Sequence, residues 1–152
     1  MLMTAKSMKE LNFGKIMDVY TDSFKGRNEQ EDFYLYLLDF FKGLDARYYI
    51  WEVDDEYFVV LRMEVYKDGF LLSGLHTKKR DRNRGFAKLL LKAVCDLYDM
   101  PVYSHVDKRN IPSMRTHLSC GFQKILDYAV FIDGSVSWNS CTLCYKQNPC
   151  RT

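Results

Sequence analysis

One stretch of this 152-residue chain restricts its fold more than any other. It runs from "FLLSGLHT" (residues 70–77) through "KKRDRNRG" and "FAKLLLKAV" to "VYSHV" (residues 102–106). The first run has strand length and strand composition. A charged loop follows and ends in Gly85. Then Phe86, Leu89, Leu90, Ala93, Val94 and Leu97 recur at three- and four-residue spacing, the period of an amphipathic helix. A second strand closes the unit. A helix between two strands carries the chain back to the same end of the sheet, so the two strands should be parallel and the crossover right-handed.

The other segments arrange themselves around this unit. Residues 1–5 suit a short first strand. Ser7 and Glu10 have capping-box spacing, so a helix is expected to follow Ser7, with Leu11, Ile16, Val19 and Tyr20 on its apolar face. "KGRNEQED" (residues 25–32) reads as a polar loop, and Phe33, Tyr36, Leu37, Phe40, Phe41 and Leu44 mark a second helix. "YYIWEV", "YFVVLRMEVY" and "FLLSGLHT" make an antiparallel meander, with Asp68-Gly69 as a hairpin signal. After "VYSHV", Asn110 and Pro112 start a fourth helix that Gly121 ends. "FQKILDYAVFI" and "SCTLCYK" form a closing hairpin. The class is α/β (α+β), with a mostly antiparallel sheet in one domain spanning residues 1–152.

Composition excludes several function classes. Apolar residues make up 47% and charged residues 28%, which argues against disorder. A net charge of +2 is too small to argue for nucleic acid. The basic residues of 78–84 stand in one loop, with no basic-aromatic platform beside them. No apolar run is long enough to cross a bilayer. The five cysteines are irregularly spaced and no secretory signal precedes them, so reduced thiols in a cytoplasm are expected. Cys141 and Cys144 form C-x-x-C on a strand, where residues three apart face opposite ways, so no metal site is expected.

The burst of charge before Gly85 is either a solvated helix cap or a seat for phosphate. The first N–H groups of a helix have no internal partner, and the helix dipole is positive there. A glycine lets the backbone approach an anion. No Gly-Lys-Ser/Thr follows, so the loop is not a nucleotide-triphosphate cradle, and a single glycine makes no dinucleotide fingerprint. Arg82-Asn83-Arg84-Gly85-Phe86-Ala87 follows the pattern R/Q-x-x-G-x-G/A. Asn110-x-x-Ser113-x-x-x-His117-x-x-x-Gly121-Phe122 follows N-x-x-A-x-x-x-Y-x-x-x-G-F, with Ser for Ala and His for Tyr. These two motifs, one helix and one strand apart, resemble the GNAT superfamily of acyl-CoA N-acyltransferases. The resemblance covers residues 71–122 in motif and the whole chain in element order.

The resemblance implies a twisted, mostly antiparallel sheet flanked by about four helices, and acetyl-CoA as cosubstrate. It implies that backbone amides of Arg82, Asn83, Arg84, Gly85, Phe86 and Ala87 hold the pyrophosphate. Lys78, Lys79, Arg80 and Arg84 become candidates for the 3′-phosphate. Leu75, His76 and Thr77 would pair with the pantetheine arm, and Asn110 and Ser113 would complete the cofactor wall. A bulge near Gly74 would aim an N–H at the thioester carbonyl as an oxyanion donor. The implied reaction is direct acetyl transfer to a primary amine of a small molecule or peptide. A CoA-binding regulatory module without turnover is the alternative, because the usual Tyr is absent. Self-association into a homodimer stays open.

Amide formation needs a base for the ammonium and an acid for the leaving thiolate. By the resemblance His117 stands where the family has its Tyr, so it is the candidate acid. Strand alternation sets Tyr103, His105 and Asp107 opposite Val102, Ser104 and Val106, so His105 faces the substrate side and is the candidate base. His76 reads as a satisfied structural histidine. Glu52 and Glu64 are further bases, Tyr103 and Tyr128 further proton donors, and Glu29, Glu31 and Asp32 an attraction for a cation.

Overall fold

In the computed structural model, which describes residues 1–24 and 26–146, a seven-stranded sheet carries the chain. Its strands are β1 (Leu2–Ala5), β2 (Arg47–Val53), β3 (Glu56–Tyr66), β4 (Gly69–Thr77), β5 (Val102–Asp107), β6 (Gln123–Leu126) and β9 (Ser140–Tyr145). A separate two-stranded hairpin joins β7 (Ala129–Val130) to β8 (Val136–Ser137). The order across the large sheet is β1-β2-β3-β4-β5-β9-β6. Every pair is antiparallel except β4–β5, as the crossover requires. The closing hairpin is present, with β7 and β8 inserted between its arms.

Helices α1 (Phe13–Val19) and α2 (Arg27–Phe40) pack on one face, where Ile16, Leu37, Tyr48, Ile50 and Val60 are fully buried. Helix α3 (Phe86–Cys95) packs on the other face, with Leu90, Leu91 and Val94 against Leu61, Leu72 and Leu143. Helix α4 (Ile111–Ser119) lies beside α3. Asn110 caps α4 by accepting from the Ser113 N–H at 3.2 Å. The helix ends with the N–H groups of Gly121 and Phe122 returned to the carbonyls of Leu118 and His117. That return drops Phe122 into the core.

Three local expectations change. Ser7 does accept from the Glu10 N–H, but the Glu10 carboxylate takes the Lys6 N–H, and the motif caps only a turn. The helix itself starts at Phe13, capped by Asn12. Residues 27–32 are the first turns of α2 rather than a loop. They are polar because that end of the helix stands in solvent, and Arg27 pairs with Glu31 one turn on. The β3–β4 turn is Lys67-Asp68, and Gly69 is already the first residue of β4. Cys141 and Cys144 fall in different core clusters on opposite faces of β9, as alternation demands.

The feature that places the site is how little of β4 and β5 pairs. Only Phe70–Val102, Leu71–Tyr103 and Leu72–Ser104 are in register. Beyond them β4 runs on to Thr77 and β5 to Asp107 without pairing to each other, and the sheet opens.

Candidate active site

A cleft of about 760 Å³ lies between the end of β4 and the N-termini of α3 and α4. Leu75, His76 and Thr77 line it from β4, and Asn110 and Ser113 from α4. Arg82, Asn83, Gly85, Phe86 and Ala87 complete the wall. So ten of the eleven residues expected at the cofactor share one cavity. Gly85 has φ +82° at the N-cap of α3, and no side chain caps that helix. A Cβ built on Gly85 would touch nothing within 4 Å, so the space in front of the uncapped N–H groups is open. A left-handed residue, free amides and open space suit a diphosphate. The residues therefore fit the pyrophosphate of an acyl-CoA.

Arg84, the eleventh, turns away: its Nη1 donates to Asp81 at 2.9 Å and its guanidinium lies over the Phe86 ring. Most of the basic burst behaves likewise. Lys78 is buried against Glu56, and Arg80 pairs with Glu56 and Asp81. Of the four side chains considered for the 3′-phosphate, Lys79 alone pairs with no carboxylate among the described residues. Arg82 reaches across to Asp22 at 2.6 Å and to the Thr77 carbonyl at 3.0 Å. These pairs hold the loop with its side chains outward and its backbone toward the cleft. His76 stacks on Tyr20, and its Nε2 meets both Asp22 and Arg82. It is a structural histidine at the cleft wall.

The expected bulge is present. The β3–β4 register slips between Val60–His76 and Arg62–Ser73, and Gly74 has φ +63°. A row of hydrogen bonds fixes it. The Tyr20 hydroxyl is 3.3 Å from the Gly74 carbonyl, which can only accept. Tyr48 must then donate to Tyr20 (3.3 Å), and Arg62 Nη1 donates to Tyr48 at 2.9 Å. The Gly74 carbonyl is thus pulled toward α1. In a trans peptide the N–H of the next residue points the opposite way, so the Leu75 N–H is directed from the bulge toward the cleft that Leu75 lines.

A second cleft, of about 770 Å³, lies on the α2 side of the same opening. Tyr36, Asp39 and Phe40 of α2 wall it, with Arg62, Glu64, Ser73, His105, Phe131 and Ile132. His105 is the informative member. Thr142 Oγ1 gives its hydrogen to the Tyr128 carbonyl at 2.8 Å, so it must accept from His105 Nδ1–H at 3.1 Å. That leaves Nε2 with its lone pair, buried and unpartnered. Burial also pushes the His105 pKa below the ordinary 6.5, keeping the ring neutral. Glu64 shares the cleft, and burial raises its carboxyl pKa. Glu52, by contrast, pairs with Lys15 on the α1 side, and Tyr103 donates to Asp68. Tyr128 stacks on the exposed Trp138. Glu29, Glu31 and Asp32 project from α2 outside this cleft, whose acidic members are Asp39, Glu64 and Asp133.

His117 is placed inside the packing of α4 on β5, 2% exposed. Its Nδ1–H donates to the Ser113 carbonyl at 2.8 Å, so its Nε2 accepts from the Ser104 hydroxyl at 2.9 Å. Its ring is not on the wall of either cleft. Burial holds His76, His105 and His117 all below 6.5. In the window below 6.5 the unfolded chain binds protons that the folded chain refuses, so folding stability rises with pH there. The thermal midpoint should therefore fall as pH is lowered from about 7 to about 5, ahead of the carboxylates. A scan showing the midpoint unchanged or rising over that range would contradict this burial.

Sequence reasoning missed Arg62, Tyr20, Tyr48, Asp22 and Thr142. The one visible signal was Arg62, a lone cation in the apolar run "FVVLRMEV". Among the described residues no cluster of His, Cys, Asp and Glu could hold a metal, and no helix is long and apolar enough to cross a membrane.

Known proteins share this fold. A solved structure from Pyrococcus horikoshii OT3, PH1933, superposes with a TM-score of 0.69 at 15% identity, covering 97% of this chain and 99% of that one. The ribosomal-protein-S18-alanine N-acetyltransferase of Escherichia coli gives 0.66 at 12% identity, covering 95% and 92%. The PaiA N-acetyltransferase of Thermoplasma acidophilum, solved with coenzyme A, gives 0.66 at 11% identity, covering 96% and 99%. No curated protein matches the sequence significantly. The likenesses establish the fold, and a family model, that of the acetyltransferase (GNAT) family, matches residues 13–122. With that match, and an open phosphate seat at Gly85 beside a bulged β4, this chain belongs to the GNAT family of acetyltransferases, whose acyl donor is acetyl-CoA.

Proposed function

We propose that this protein is a single-domain, acetyl-CoA-dependent N-acetyltransferase that moves the acetyl group directly to a primary amine of a small molecule or peptide. The observation that carries the reading is the lone pair of His105 Nε2, buried and unpartnered, on a residue that walls a cleft beside Leu71, Leu72 and Ser73, the β4 residues that lead to the cofactor cleft at Leu75. When bound, acetyl-CoA supplies an activated acyl carbon. The amides of residues 82–87 hold its diphosphate, and Leu75, His76 and Thr77 flank the pantetheine. His105 Nε2 takes a proton from the ammonium, which an ordinary amine pKa of about 10.4 otherwise keeps protonated. The freed nitrogen forms the C–N bond, and the Leu75 N–H steadies the oxyanion. As the C–S bond breaks, the second nitrogen proton balances the thiolate. His117 enters as a positioning residue: the hydroxyl that links its ring to the cofactor cleft is that of Ser113, 3.4 Å from Nδ1. The free thiols Cys95, Cys120, Cys141 and Cys144 suit a reducing, cytoplasmic setting.

Acetyl-CoA at about a hundred times its Kd should stabilise the fold by roughly 2.7 kcal/mol, or roughly 5–10 °C in the thermal midpoint. A panel of amines should then release free thiol. No shift at saturation defeats the reading. A shift without thiol release on any amine would assign the chain to the CoA-binding module instead.

A further inference from the structure

We infer that the acceptor carries a carboxylate close to its reacting amine and that Arg62 binds it; this rests on the N-acetyltransferase reading. Most buried or loop cations near the site have carboxylate partners, the exposed Lys79 and Lys88 aside: Lys15 has Asp55, Lys78 and Arg80 have Glu56, Arg82 has Asp22, and Arg84 has Asp81. Arg62 has none among the described residues. Its Nη1 is spent on Tyr48, its guanidinium lies 5.1 Å from the Tyr36 ring centre and 5.7 Å from that of Tyr48, and its Nε is buried without a partner. Aromatic faces soften the loss of water, by about 0.5–2 kcal/mol, but do not replace an anion. The planar fork of an arginine matches a carboxylate bidentately.

The position of Arg62 selects the ligand. Among the described residues only two buried side-chain polar atoms lack a partner, Arg62 Nε and His105 Nε2, and both residues wall the same cleft. Arg62 pairs with Ser73, while Leu72 pairs with Ser104, so the next step along β5 is His105. Arg62 and Ser73 face each other across β3 and β4, and His105 stands on β5 just past the last pair that joins it to β4, so the three come from neighbouring strands where the sheet opens. One acceptor lying in this cleft can meet both residues, its amine at His105 and an anion at Arg62. An amino acid carries both groups on one carbon, and a peptide N-terminus has no carboxylate there. Phe40, Leu71, Phe131 and Ile132 give the remaining wall an apolar character, which suits an apolar side chain.

The experiment follows free thiol with the full chain at saturating acetyl-CoA, offering each of the twenty free amino acids beside its amide. The best acceptor should be a free acid, with kcat/KM at least ~10-fold above its amide, since a charge-assisted pair of this kind is typically worth that much. Arg62→Met should remove the preference while leaving the acetyl-CoA thermal shift in place, and Arg62→Lys should keep part of it. Amides equal to or better than the acids, or a preference surviving in Arg62→Met, would overturn the inference. A binding arm needs no turnover. Calorimetry on the CoA-saturated protein should show N-acetylphenylalanine binding ~10-fold tighter than N-acetylphenylalaninamide, and equal binding would overturn the inference while the enzyme reading stands. A chain that does not bind CoA overturns both.

Discussion

Replacing His105 by glutamine should lower kcat by roughly 10²–10⁴-fold, the usual contribution of a positioned general base. Glutamine can still donate to Thr142, so the β5–β9 edge is kept while the unpartnered lone pair is lost. The thermal shift with acetyl-CoA should not change, because His105 walls the other cleft. The pH profile should change with the rate. In the wild type the acid limb of kcat/KM reports protonation of His105, and burial sets that limb below the ordinary 6.5. In the variant this limb should vanish. A kcat within about threefold of wild type would move the base role elsewhere, first to Glu64, the carboxyl of that cleft whose pKa burial raises.

Replacing Gly74 by alanine should be nearly as damaging, by another route. An L residue at φ +63° costs roughly 1–2 kcal/mol, so the thermal midpoint should fall by roughly 2–8 °C. The new Cβ would also sit 2.6 Å from Arg62 Cζ. The guanidinium must swing off Tyr48, and the Tyr48–Tyr20–Gly74 row that aims the Leu75 N–H loosens with it. Turnover should therefore fall roughly 100-fold, the low end for loss of one oriented oxyanion donor. Gly85→Ala is the contrast. It carries similar backbone strain, but its Cβ enters open space before α3, so its effect should appear as weaker acetyl-CoA binding. Equal turnover in Gly74→Ala and wild type would show that the bulge does not serve the chemistry.

The β-loop-α-β unit and both motifs were legible because each depends on local chemistry. Gly85 supplies a left-handed N-cap, Asn110 caps α4 through its own side chain, and apolar periods separate helix from strand. The first turns of α2 were misread for the same reason. A helix end that stands in solvent carries no apolar period, so residues 27–32 look like a loop. The side-chain fates of the basic cluster were not legible at all. Glu56, Asp22 and Asp81 neutralise most of it, and only Asp81 is adjacent in sequence.

The histidines divide the two kinds of information. Alternation along β5 was enough to turn His105 away from Val102 and Val106. What suits it to the proposed base role is Thr142, 37 residues away, which holds Nδ1 and frees Nε2. The motif put His117 at a catalytic position, but contact with Ser104 and Ser113 encloses the ring. Arg62 was visible only as an odd cation in a strand. Its role depends on Tyr48, Tyr36 and Gly74 meeting around it from three other elements. By itself, then, the sequence determined the family, the order of elements and the open, uncapped helix start at Gly85, because backbone conformation and capping are set by near neighbours. Only the tertiary structure decided which charges are cancelled and which polar atoms remain unpaired, because those partners are brought together by packing distant segments.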